Sequence, residues 1–293
     1  MRAEVVATGV PFGEGPVWCP DGTLVVTSVA AGALFRVRPE AGSAERFAET
    51  RGGANGATLA ADGSILVTQN GGFDVGGTGF VKNAPPVTSE PATPGLQLAT
   101  PDGAVSYLLD DGFHAPNDLC IDRDGTVFFT DPGHYPPPEP NYGRVFAYAT
   151  DGSVRLVGDG FLYCNGIALD RDGHLVVIEA RGLQRLLPDG EREWVIERLG
   201  RGGGDGFCLD ADGRYYVAST IEHGVRVVDT DGTVLDFLEI DGDGLTTNCC
   251  FGGPDLRTLY ATDAVPGNVV AWAGMPTPGL PLHSWPGVRS SAA

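Results

Sequence analysis

The sequence predicts an all-β chain, a six-bladed β-propeller with four-stranded antiparallel blades, on three observations. First, an oxygen-bearing side chain stands seven residues before a turn aspartate six times over. The pairs are Glu14 with Asp21, Asn55 with Asp62, Asn117 with Asp124, Asn165 with Asp172, Asp205 with Asp212, and Asn248 with Asp255. Second, five of these aspartates are followed by Gly and then by a β-branched or aromatic run (LVVTS, ILVTQ, VFFTD, LVVIE, YYVAS). The sixth unit, GGPDLRTLYATD, has a looser turn. Third, the oxygen-bearing positions are separated by 41, 62, 48, 40 and 43 residues, close to the ~40–50-residue period of propeller repeats.

The elements follow in order along the chain. Residues 3–8 (AEVVAT) form a lone strand ahead of the first unit. It is expected to close the ring by joining the last blade beside residues 268–272. The fourth unit shows the blade pattern openly: GIALDRD, GHLVVIEA, GLQRLLPDG and REWVIER are four short β-forming pieces, several ending at Gly or Asp-Gly. No apolar stripe of helical period interrupts the series. The long second step holds an insertion over about 71–100, rich in Gly, Pro, Ser and Thr, of the kind that forms lids or binding loops. A Pro-rich stretch, 132–141, leaves the third unit and is too short to link domains. The expectation is one propeller domain over residues 1–293.

Composition limits the partners. With 19 basic and 38 acidic residues the net charge is −19, which excludes a basic footprint for nucleic acid or for anionic membranes. A small-molecule substrate and a monomer or weak homo-oligomer are expected. The six cysteines, with no CxxC among them, read as buried free thiols. The sequence shows neither the apolar core of a signal peptide nor a membrane-spanning run, so the cytoplasm is the expected location.

The first strand of each blade lines a propeller's channel, so six residues at one offset converge at one mouth. Glu, Asn, Asn, Asn, Asp and Asn, without His or Cys, offer hard oxygen donors for a divalent cation. Taken singly, Asn55, Asn165 and Asp205 each precede Gly and also read as ordinary turn pairs. Asp118 is placed on the opposite strand face from Asn117, Asp131 at a local turn cap, and His174 and His223 on turns remote from the channel. His114 is a candidate for approaching the site. No Ser–His–Asp set, GxSxG elbow or phosphate loop is present.

The phrases FGEGPVW, APNDLCIDRDGTVFFTDP, CNGIALDRDG, DGFCLDADG and TNCCFGGPDLRTLYATD resemble the gluconolactonase/regucalcin (senescence marker protein) family over nearly the whole chain. The resemblance implies a channel cation, Ca²⁺ first, with Mg²⁺, Mn²⁺, Zn²⁺ or Fe²⁺ as alternatives. Its implied ligands are Glu14, Asn117, Asn165 and Asp205, with Asp205 as base or nucleophile. Because a coordinated aspartate is a poor base, a water activated jointly by metal and Asp205 is the physically easier route. Asn117, Asn55, Asn248, His134 and Tyr135 are left to face substrate. The implied activity is opening of a lactone. Alternatives are a phosphotriesterase-like hydrolase, an isomerase or lyase on the same site, or a non-catalytic cation-binding propeller. The chain departs from the family pattern at two places. Ala115 stands where members acting on sugar lactones often carry Arg, and Gln69 and Asn70 stand where a charged or histidine pair is common. Both point to a less polar or uncharged substrate.

Overall fold

Six four-stranded antiparallel sheets make up the chain in a computed structural model that describes residues 1–74, 76–79, 81–133 and 142–288. The innermost strands are Gly13–Trp18, Ala54–Leu59, Leu119–Ile121, Cys164–Leu169, Phe207–Leu209 and Leu245–Gly252. Each is followed by the second strand the sequence marked, and the connecting Asp-Gly turns put Gly22, Gly63, Gly125, Gly173 and Gly213 at φ of 83–90°. That left-handed conformation is what Gly supplies without strain. The aspartates at or just before these turns accept backbone amides, as Asp62 Oδ1 does from Ser64 N at 2.9 Å. The N-terminal strand, Glu4–Thr8, pairs antiparallel with Asn268–Ala273 and closes the ring as expected. Among the described residues no helix is long and apolar enough to cross a membrane. All six cysteines are free, four of them buried.

Adjacent blades are joined at the channel by a belt of backbone contacts. Thr68 Oγ1 donates to the Asn117 carbonyl, and Thr130 Oγ1 to the Asn165 carbonyl at 2.7 Å. Gly56 N donates to the Asn117 carbonyl at 2.7 Å, and Gly166 N to the Asp205 carbonyl at 3.0 Å. These contacts explain why Gly follows Glu14, Asn55, Asn165 and Asp205. A Cβ on Gly166 would lie 2.4 Å from the Asp205 carbonyl oxygen, and one on Gly56 2.6 Å from Asp118 Oδ1. The Asn-Gly and Asp-Gly pairs of the ring are therefore not turns. Gly is needed there because the next blade's backbone, or for Gly206 the Asn248 side chain, lies where a side chain would be. Gly166→Ala is expected to cost roughly 1–3 kcal/mol by overpacking and to lower the thermal midpoint by several degrees. An unchanged midpoint in a melting experiment would contradict this packing.

The insertion is shorter than expected. Residues 95–99 form the third strand of the second blade, Gly95–Ala99, paired with Ile65–Gln69, so only the segment before it leaves the sheet. That segment crosses the first blade: Thr88 N donates to the Ala30 carbonyl at 2.8 Å, and Gly52 N to the Glu90 carbonyl at 2.7 Å. Its Phe73, Val81 and Ala84 pack into one apolar cluster with Phe12, Val29, Leu245 and Val265 from the first and last blades.

Candidate active site in the channel

Four ring residues sit where the pairing of their blade's inner strand is broken, and Asn117 and Asp205 stand just before theirs, which begin at Leu119 and Phe207. The register shifts between Glu14 and Val17, between Ala54 and Ala57, between Cys164 and Ile167, and between Thr246 and Asn248. The extra residues at these bulges turn side chains into the channel. At the mouth lies a cavity of about 390 Å³, lined among others by Glu14, Asn55, Asn117, Asn165 and Asp205. Its size falls within the roughly 300–1,000 Å³ of small-molecule sites. Five of the six ring residues thus meet at one cavity.

Asn248 does not line it. Its Nδ2 donates to Glu14 Oε2 and to Asp118 Oδ2, each at 3.2 Å, and its Oδ1 accepts from Cys249 N at 2.8 Å. Both ends of the amide are engaged within the protein, which removes Asn248 from the substrate-facing set. It acts instead as a clamp between two carboxylates from different blades.

Asp118 belongs to the channel, contrary to its expected place on the other strand face. The regular strand begins only at Leu119, so strict alternation of faces does not apply one residue earlier. Its backbone N donates to Thr130 Oγ1 at 3.1 Å, its Oδ1 accepts from Leu119 N at 2.9 Å, and its Oδ2 reaches Asn248 across the ring. The space it fills is left open by Gly56. The sequence signal was available: Asp118 occupies the place after the ring residue that is Gly in four blades.

Three carboxyl groups therefore share the channel. Burial first, then Asp205 and Asp118, raise the Glu14 carboxyl well above its ordinary range. Burial raises Asp118 to about 6. Burial, opposed by the Asn165 amide and reinforced by Asp118, raises Asp205 to about 7. Among the described residues the one basic side chain lining the cavity is Arg181, which is exposed. Asn55 Oδ1 is buried without a hydrogen-bond partner. Clustered carboxylates, carboxamide oxygens and an orphaned acceptor, with no cation among them, fit a hard divalent ion.

The supports of the ring lie at the ends of the second strands. Asp131, fully buried, does not cap its own turn. It accepts from Ala115 N at 2.7 Å and His114 N at 3.1 Å and pairs with Arg144 Nη2 at 2.5 Å, fixing the loop that carries Asn117. Gln69 does the same for the Asn55 loop through Gly53 N at 2.7 Å. Asn70 lines the cavity and Gln69 does not. His114 is exposed, its ring edge-on to Tyr142 and off the cavity. His223 binds Asp263 Oδ1 at 3.1 Å and ties the fifth blade to the sixth. His134 and Tyr135 lie outside the described residues.

Among the described residues one trio of metal-type side chains is compact, Asp170, Asp172 and His174, at the opposite end of the fourth blade from the ring. Asp170 Oδ1 already accepts from Asp172 N and His174 N, and its Oδ2 from Arg185 Nε at 2.9 Å. This is a turn braced by an ion pair.

The chain is similar to known proteins. The family model described as SMP-30/Gluconolactonase/LRE-like region matches residues 12–265. The chain is 32% identical to pentonolactonase XacC of Haloferax volcanii over 89% of this chain and 84% of that protein. It is 26% identical to the gluconolactonase of Zymomonas mobilis over 85% and 75% of the two chains. Its fold matches the solved structure of a calcium-binding protein, regucalcin, from Agrobacterium tumefaciens with a TM-score of 0.75 at 22% identity, covering 98% and 97%.

Proposed function

The chain belongs to the SMP-30/gluconolactonase/LRE-like family, and from that premise we propose that it hydrolyses a lactone with a divalent cation in its channel. The observation that carries this reading is the meeting of Glu14, Asn117, Asn165 and Asp205, from four different blades, on one cavity. These four would hold the cation, Ca²⁺ first. When bound, it supplies Lewis-acid polarisation of the lactone carbonyl and charge to stabilise the developing oxyanion.

The chain's own residues do the rest. Asp205 faces the cavity and takes the proton of the attacking water as its oxygen bonds to the carbonyl carbon. The same proton then goes to the ring oxygen as the ester C–O bond breaks, so one lactone and one water give one hydroxy acid. The Asn165 amide lies beside Asp205 and favours its ionised form. Asn248, itself bonded to Asp118, braces Glu14. Asn55 lines the cavity and is left to face substrate.

The test is hydrolysis of pentono- and aldonolactones and of simple alkyl lactones, followed by acid release, after chelation and after return of each cation. Activity lost on chelation and restored by one or more divalent ions is expected. No hydrolysis of any lactone under any loading would sink the reading.

A further inference from the structure

The cavity lining is mixed, with Asn70, Tyr163, Arg181 and Thr220 adding polar groups to those of the oxygen ring, but one continuous part of it is apolar. That part is a wall of Phe12, Val29, Phe73, Val81 and Leu245, which line the cavity and pack in one cluster, and Ala115 adds a methyl to the lining. These side chains offer no donor or acceptor. The wall is also actively assembled. Phe73 and Val81 come from the insertion, held across the first blade by the Thr88 and Gly52 hydrogen bonds. Phe12, two residues before Glu14, keeps its backbone at φ 49°, a conformation uncommon for a bulky residue, locked by Val29 N donating to its carbonyl at 3.1 Å. Strained backbone beside a site persists only where its surroundings enforce it.

Given the lactone-opening reading above, we infer that the substrate is a lactone carrying an apolar substituent, an alkyl chain or aromatic ring, that lies against this wall. A polyhydroxylated lactone would turn hydroxyl groups toward side chains that cannot bond them, and each buried unpaired hydroxyl is penalised. An alkyl group there exchanges water for carbon contacts, at about a threefold to fourfold gain in affinity per buried methylene.

The test compares γ-lactones from γ-valerolactone to γ-decalactone with pentono-1,4-lactones on the cation-loaded protein. KM is expected to fall by about threefold to fourfold per added methylene over the first few carbons, with the pentonolactones poorer by kcat/KM. Phe73→Ala and Val81→Ala flatten that slope; Phe73→Leu, which keeps the apolar wall, retains most of it. Pentonolactones turned over as well as the alkyl series, with no dependence on chain length, would overturn the inference and leave lactone hydrolysis standing. If no lactone of either kind is hydrolysed, the reaction assignment falls, and calorimetric binding of alkyl γ-lactams still decides the wall. Binding that tightens with chain length and weakens in Phe73→Ala supports it, and length-independent binding overturns it.

Discussion

Asp205→Asn is expected to lower kcat for lactone hydrolysis by roughly 10²–10⁴-fold and, in chelated protein above pH 7, to raise the melting temperature. The opposite signs follow from the same geometry. Asp205 lies with Asp118 and Glu14 in one poorly hydrated channel, where burial and mutual repulsion disfavour the ionised forms. An isosteric amide removes one of those charges and still presents an oxygen and a donor to Asn165, so the fold gains while the proton acceptor is lost. Residues kept at a cost in stability are characteristic of active sites. A merely structural Asp205 would give the reverse pattern, with activity kept and stability reduced. Initial rates and thermal melts on the same preparations separate the two.

The second large effect is a pH-dependent dependence on the cation. In the unfolded chain aspartate and glutamate titrate near 3.9 and 4.3. In the folded chain Asp118 is raised to about 6 and Asp205 to about 7, both chiefly by burial. Between about pH 4 and pH 7 the folded channel thus holds protons that the unfolded chain has released, so stability falls as pH rises through this window. The contribution is full below about pH 4 and lost above about pH 7. Each tenfold change in proton affinity is worth about 1.4 kcal/mol, so chelated protein is expected to be weaker at pH 8 than at pH 5 by on the order of several kcal/mol from these groups. A divalent ion meets the ionised carboxylates best at high pH. At a hundred times its Kd it is expected to raise the midpoint at pH 8 by roughly 5–10 °C, and by much less at pH 5. Melting curves at both pH values check this; a cation effect that is larger at pH 5, or absent at both, contradicts it.

Much of this architecture is written in the chain because a repeat protein repeats its constraints. The fixed seven-residue offset placed Glu14, Asn55, Asn117, Asn165 and Asp205 at one height, and all five line the cavity. What escaped depends on departures from regular strand geometry and on contacts between distant residues. Asp118 was misplaced because face alternation presumes a strand that starts only at Leu119. Asn248 has the ring's spacing but spends both ends of its amide on Glu14, Asp118 and Cys249, a choice made across blades. The glycines after the ring residues looked like turn residues because the approach of the next blade, 2.4 Å from a Cβ on Gly166, has no local signature. The composition of the insertion announced a loop, but its landing on Phe12 and Leu245 is set by packing between segments far apart in the chain.

The central claim, that oxygens from separate blades form one cation site, is tested most directly by calorimetric titration of chelated protein with Ca²⁺ at pH 8. The account predicts saturation at one ion per chain, lost together in Glu14→Gln and Asp205→Asn and unchanged in Asp172→Asn at the far end of the fourth blade. Saturable binding that survives both channel substitutions, or that disappears with Asp172→Asn, would place the ion elsewhere and contradict it.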